Sequence, residues 1–348
     1  MKKKNSLIIL KIISLLTLLL LSLLIINGNK RFVVWSQVLN KWNLAEYQNF
    51  NEENLQEAKL RRSLPLNKKL SLISKEDLSK IIIKDLQQEL HFTQIPRIYL
   101  LKPILVTANF LNVNIHIFYS FICILMMFLI SYLLSLGPKS KKVERILFIF
   151  TTFGLLSLLM NGRLLFSFLG CSFFWAIMQY KNQKPPIYHF IASIAFFWLS
   201  SVSSGTLILA TIFFCTWLWF EQKNIQKTYI LYYLLALLCF LPFTLTGVYK
   251  NLKYYGGNLS SVLTMSQHGM GKHLNIELLI LILIITGIFA GTLFFYNKVM
   301  MKKIVTNVYS YLFLEATIVL FWGYSSFLMV LPIATALISQ YIFNRKNI

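Results

Sequence analysis

The stretch ILFIFTTFGLLSLLMNGRLLFSFLGCSFFWAIMQY, Ile146 to Tyr180, is 35 residues of mostly apolar sequence broken once, by Asn161-Gly162-Arg163. Basic residues flank it on both sides: Lys139 to Arg145 before, Lys181 and Lys184 after. The same design recurs twice. Ile187 to Phe220 is broken by the Ser/Gly run Ser200 to Gly205, and Ile304 to Phe343 is broken by Trp322 to Ser326. Each stretch reads as a hairpin of two helices. A half has about 14 to 18 residues, ~21–27 Å of helix, against a hydrocarbon core of ~30 Å. Such helices barely span, so the polar tips between them sit at or below the outer surface. Polar backbone at that depth is tolerated only inside protein or beside a wet cavity.

The rest of the chain fits this frame. Of 348 residues, 57% are hydrophobic and the mean hydropathy is +0.63, beyond an ordinary soluble domain. The net charge of +22 does not point to nucleic acid. Sixteen Lys/Arg lie at the termini or in short segments between apolar runs: Lys2 to Lys4, Lys139 to Arg145, Lys181, Lys184, Lys223, Lys227, Lys298 to Lys303, Arg345 and Lys346. Every second connection carries them, which is the positive-inside pattern. No basic stripe with interleaved aromatics stands outside it. Cys123, Cys171, Cys215 and Cys239 all fall in apolar spans, which argues against a disulfide framework and for apolar packing. The five histidines show no metal-ligand spacing.

Residues 1–26 read as an uncleaved signal anchor: Met1-Lys-Lys-Lys, then the apolar run Leu7 to Ile26, with no small-x-small cleavage site after it. Residues 27–97 form an extracytoplasmic polar segment. Eight of the chain's 12 Asp and Glu residues lie between Glu46 and Glu89. Within the segment, Ser74 caps a predicted amphipathic helix whose apolar face is Leu78, Ile81, Ile82, Leu86 and Leu90. Residues 98–348 form the polytopic membrane domain. Ile98 to Leu111 is apolar but short, holds Lys102 and Pro103, and suits a re-entrant or interfacial helix. Further spans are expected at Ile115 to Leu136, Tyr229 to Leu245 and Ile276 to Tyr296. The expected architecture is all-α, with about ten transmembrane helices including three short-helix hairpins. Both termini face the cytoplasm, in a multi-pass protein of the cytoplasmic (inner) membrane.

Few residues in this frame can carry charge-dependent chemistry. Arg163 sits at an outward tip, where a guanidinium holds phosphate or carboxylate bidentately, or snorkels. Glu315 is the acidic residue well inside an apolar span; counting from Ile304 puts it ~17 Å in, just past the midplane. Base, proton relay, hydroxyl acceptor and structural partner all remain open for it. The tip with Ser203 and Ser204 offers hydroxyls to a polar ligand, or is a plain turn. The outward loop after Thr246 carries Lys250, Tyr254, Tyr255 and His268. Its aromatic faces suit sugar rings, and His268 is a candidate acid or base. Arg97 and Lys102 flank the short apolar segment and could bind a lipid phosphate or anchor at the interface. Glu46, Glu52 and Glu53 lack an Asp-x-Asp pair but follow the first span, where a membrane glycosyltransferase would want a base. No Gly-x-Ser-x-Gly elbow is present.

Together, the span count, the N-terminal anchor, Tyr99-Leu-Leu-Lys-Pro103, Gly162-Arg163-Leu-Leu-Phe166 and the scarcity of acidic residues make the chain resemble bacterial exopolysaccharide and O-antigen polymerases (the Wzy-like family). The resemblance covers most of the chain as topology. It implies transfer of polyprenyl-diphosphate-linked glycan repeats on the outer side of the membrane, with Arg163 at the position of a pyrophosphate-holding arginine. His268 and Lys250 are secondary choices, no cofactor or metal is expected, and membrane lipids and a glycan-assembly complex are the expected partners. The first outward segment is unusually long for that family, and the later outward loops hold no arginine. Two other readings stay open: a polyprenyl-phosphate-sugar-dependent glycosyltransferase of the GT-C type, with its base among Glu46, Glu52 and Glu53, and a transporter or flippase.

Overall fold

A computed structural model describes residues 8, 11–19, 96, 100, 103–104, 107, 110–111, 113, 115–137, 141–159, 164–254, 287, 290–291, 308–319 and 328–344. Eight helices are bounded among the described residues: α1 Ile115–Leu134, α2 Lys142–Leu159, α3 Leu164–Gln179, α4 Pro186–Ser200, α5 Ser204–Glu221, α6 Lys227–Tyr254, α7 Val308–Val319 and α8 Val330–Asn344. There is no strand among the described residues. Ile117–Leu134, Ser204–Glu221 and Lys227–Tyr249 are long and apolar enough to cross a membrane. Leu164–Gln179, Pro186–Ser200, Val308–Ile318 and Val330–Phe343 are apolar but shorter. The predicted break at Ser200 to Gly205 falls between α4 and α5, while Asn161 to Arg163 and Trp322 to Ser326 lie outside the described residues. The amphipathic helix from Ser74, most of the signal anchor and most of Ile276 to Tyr296 lie outside the described residues.

One boundary differs from the sequence reading. The span expected to stop at Leu245 continues to Tyr254, with Pro242 inside it. Proline removes a single N–H, and the helix resumes beyond it. The carbonyl this frees is that of Leu238, four residues back; nearby, Thr246 Oγ1 donates to the Pro242 carbonyl at 2.7 Å and Thr244 Oγ1 to Phe240 O at 3.1 Å, the back-bonds of helical threonines.

The lysine-bearing connections gather at one end of the helices. Trp175 Nε1 donates to Leu136 O at 3.3 Å, joining the ends of α3 and α1. Lys181 Nζ meets Glu221 Oε2 at 2.5 Å, and Asn182 Nδ2 donates to Asn224 O at 2.7 Å, joining the α3–α4 turn to the α5–α6 turn. Lys142 Nζ lies 4.3 Å from the Tyr132 ring, and Lys141 Nζ 6.0 Å from the Phe343 ring, joining α2 to α1 and α8. His189, at this end of α4, is fully buried. Its Nδ1 shares a 2.9 Å hydrogen bond with Tyr233 OH, and its ring stands edge-on to Tyr229. This end is called the Lys face below, and the opposite end the tip face.

α3 runs through the centre, with buried residues all around it from Leu164 to Ile177. A helix apolar on every side has no solvent-facing stripe and belongs inside a bundle. Phe174 stacks on Phe196 at 4.8 Å and meets Trp217 edge-on at 5.8 Å, so one ring ties α3 to α4 and α5. Phe197 stacks on Phe240 at 5.6 Å and carries the packing to α6. Helical residues 11–19 dock on α2, where Ser14 Oγ lies 2.9 Å from Thr151 Oγ1. Cys123 and Cys171 are buried as expected, but Cys215 and Cys239 are exposed, on faces shared with Trp219, Leu235 and Leu238. In a membrane frame those apolar faces meet lipid, so a thiol there needs no protein partner.

Gly170 sets the closest approach of α3 and α4. A Cβ placed there would stand 3.0 Å from Phe196 O, 3.0 Å from Ser200 Oγ and 3.3 Å from Leu199 Cβ. The first obstacle is backbone and cannot swing away. We predict that Gly170→Ala lowers stability by about 1–3 kcal/mol, an overpacking cost, and that Gly170→Leu prevents assembly. Unfolding midpoints of the detergent-purified variants check this; an unchanged midpoint for Gly170→Leu refutes it.

Candidate functional site

The tip between α4 and α5 is the best-defined polar feature of the tip face. α4 has 15 residues, about 22 Å, so its end stops short of a full hydrocarbon core. The turn is covered by protein: Ser200 is 0%, Ser201 3% and Val202 1% exposed. Its backbone groups are served locally. Ser201 Oγ donates to Trp198 O at 2.5 Å, and Ser201 N–H reaches the same carbonyl at 3.1 Å. Thr206 Oγ1, fully buried, is shared between Ser200 O at 2.5 Å and Ser203 O at 2.8 Å. Ser203 is extended, φ −143 and ψ 140, and starts α5 without a side-chain cap.

These bonds divide the tip's hydroxyls by role. Ser201 and Thr206 are occupied by the turn itself. Ser203 and Ser204 are half-buried, at the rim rather than under it. Ser200 Oγ is buried with no hydrogen-bond partner among the described residues, beside Gly170.

Two other parts of the chain come to this tip. Trp198 Nε1 donates to Pro96 O at 2.8 Å, one turn below Ser201. Leu100 is buried in the same core. The described residues on either side of Arg97 are therefore held by the membrane helices next to the tip, while Arg97 and Lys102 lie outside the described residues. α6 arrives from the other side. Thr211 Oγ1 and Thr244 Oγ1 meet at 3.0 Å and pin antiparallel α5 and α6 in register. From there Ser204 is seven residues away, ~10 Å, and Lys250 six residues, ~9 Å. The Lys250 backbone is thus level with Ser204, and Tyr254 lies about one turn farther out.

Glu315 is elsewhere. It lies on α7 and accepts a short hydrogen bond from Thr216 Oγ1 on α5. Tyr311 packs on Phe220 at 4.7 Å and Tyr309 on Trp175 at 6.0 Å, which sets the register of α7 against the Lys-face ends of α5 and α3. Thr216 is five residues from Glu221, ~7.5 Å, and twelve from Ser204, ~18 Å. The count from Ile304 placed Glu315 past the midplane; aromatic packing brings it into the half of the bundle nearer the Lys face. It does not join Ser203, Ser204 and Lys250. Arg163, His268 and Tyr255 lie outside the described residues.

Sequence reasoning missed Trp198, Pro96 and Thr206 as parts of this region. Trp198 carried a usable signal, an indole near the outer end of an apolar run, where tryptophan prefers the membrane interface. Thr206 carried none, because its role depends on the turn it closes.

Replacing Thr206 by valine keeps the shape and leaves the Ser200 carbonyl without its buried donor. We predict a loss of about 1–3 kcal/mol, largely restored by Thr206→Ser. Thermal unfolding in detergent measures it, and a stable Thr206→Val protein would mean the turn has another donor. No known protein family matches this sequence, and neither a curated protein nor a solved structure is similar to it.

Proposed function

We propose that the chain is a multi-pass cytoplasmic-membrane enzyme of surface-glycan assembly, a polymerase that transfers polyprenyl-diphosphate-linked oligosaccharide repeats on the outer side of the membrane. The observation that supports this most is the gathering at one end of the bundle. The Ser203–Ser204 rim, the Lys250 level of α6 and the chain at Pro96 meet there, at the end opposite the Lys181–Glu221 layer. If lysine-rich connections face the cytoplasm, this end faces outward.

The reaction asks little else of the protein. An acceptor sugar hydroxyl attacks the anomeric carbon of the donor repeat, its proton passes to a base, and the bond from that carbon to the diphosphate oxygen breaks. The lipid diphosphate leaves with the negative charge. Cationic groups at the leaving diphosphate supply the main stabilisation. In this proposal Arg163 and Lys250 take that role, with Arg97 and Lys102 holding lipid phosphate. Ser203, Ser204, Tyr254 and Tyr255 contact sugar, and His268 is the base. Glu315, ~18 Å from the rim by helical rise, is not assigned to the transfer.

The test is the size profile of surface and lipid-linked glycans with the protein deleted and restored. Loss of long chains with accumulation of one lipid-linked repeat is expected. Arg163→Ala and Lys250→Ala should each reduce long chains by about ten-fold or more, as loss of charge stabilisation at a leaving group does. An inserted Arg163→Ala protein with full activity removes that residue from the mechanism. A repeat lacking one sugar, or an unchanged profile, overturns the polymerase assignment.

A further inference from the structure

We infer that Glu315, held by Thr216 at the α5–α7 contact, is a proton-binding site in the half of the bundle nearer the Lys face. This inference does not rest on the glycan reading, and it concerns a different part of the molecule. Three observations carry it. The first is the surroundings. Glu315 lies between buried Leu312 and Ala316 and exposed apolar Leu314 and Ile318, on an apolar helix packed against another. The second is the partner. Thr216 Oγ1 donates to Oε1, whereas Oε2 is covered and has no hydrogen-bond partner among the described residues. The third is the absence of a cation. The ion pair among the described residues is Lys181–Glu221, and among the described residues no lysine or arginine pairs with Glu315.

A carboxylate in such a place has one hydrogen bond and no counter-charge, which is among the costliest arrangements a membrane helix can hold. A proton on Oε2 removes the charge and leaves Oε1 as the carbonyl-like acceptor that Thr216 already serves. The site lies nearer one end of the bundle. The Glu221–Lys181 layer is about five residues, ~7.5 Å, from Thr216, and the tip rim is ~18 Å away. Other titratable groups on the packed elements are Cys215 on α5, Tyr309 and Tyr311 on α7, and Tyr341 on α8, with Glu221 and Lys181 at the layer itself. None of these supplies a fixed positive charge at Oε2. The site therefore takes its neutralising charge from solvent, as a proton.

Dicyclohexylcarbodiimide tests this on the intact protein in detergent. The reagent is apolar and reacts with protonated carboxyl groups. The acid oxygen bonds to the central carbodiimide carbon, the acid proton moves to a nitrogen, and the acyl group then shifts to nitrogen. Nothing leaves, so the Glu315 peptide gains the mass of one reagent molecule. Glu221, ion-paired and partly exposed, is the internal reference. We expect about ten-fold or more labelling of Glu315 over Glu221 near neutral pH, decline toward alkaline pH, and no adduct at this position in Glu315→Gln. A water-soluble carbodiimide should reverse the preference. Labelling of Glu221 with Glu315 untouched, or Glu315 labelling that does not change with pH, overturns the proposal. Neither result bears on the glycan profile, so the two readings fail separately.

Discussion

Every backbone N–H and C=O that enters the apolar layer must find a partner inside the protein, and helices too short to cross it bring their turns in with them. α4, with 15 residues, is shorter than a full crossing, and its turn is buried in protein. Thr206 meets the demand from the first turn of α5 by serving the carbonyls of Ser200 and Ser203 together. Ser201 meets it from within the turn. With those two hydroxyls committed, the turn can be buried, α5 can begin at Ser204, and the aromatic layer of Phe174, Phe196, Phe197 and Phe214 can close beneath it. Tip chemistry and core packing are one problem here, because the same residues bound both.

The two ends of the bundle solve different problems. The Lys face is held by charge and aromatic contact between consecutive turns, and these contacts need little depth. The tip face is held by hydroxyls that return to nearby carbonyls and by one indole that reaches a distant segment, Trp198 to Pro96. Between them, helix approach is controlled by small residues and flat rings. Gly170 lets α3 and α4 come close, and Phe174 uses that closeness to stack on Phe196. Without a hydrophobic driving force between helices in lipid, such close contact is what holds them together.

Much of this frame was legible in the sequence. The α4–α5 hairpin is visible because the polar tip Ser200 to Gly205 interrupts a long apolar run between basic flanks. The end of α6 was not, because Pro242 looks like a stop when read alone, whereas the helix loses only one N–H there and continues to Tyr254. The level of Glu315 within the bundle is a related case. A count along one chain assumes where the helix enters the membrane, whereas the position is set by Tyr311 and Tyr309 against rings on other helices. Of the candidate site, Ser203, Ser204 and Lys250 were chosen separately by residue type. Their common level appears only through the Thr211–Thr244 contact, a pairing of two unremarkable threonines 33 positions apart.

The sunken α4–α5 turn also bears on how the chain enters the bilayer. If the connections holding Lys181, Lys184, Lys223 and Lys227 stay on the cytoplasmic side, this turn is the part carried through the apolar layer during biogenesis. Ser201-Val202-Ser203 bears no formal charge, and once Ser201 and Thr206 have closed the turn its exposed polarity is small. The hairpin can therefore cross as a preformed unit, turn first, with the lysines as a brake on the trailing side.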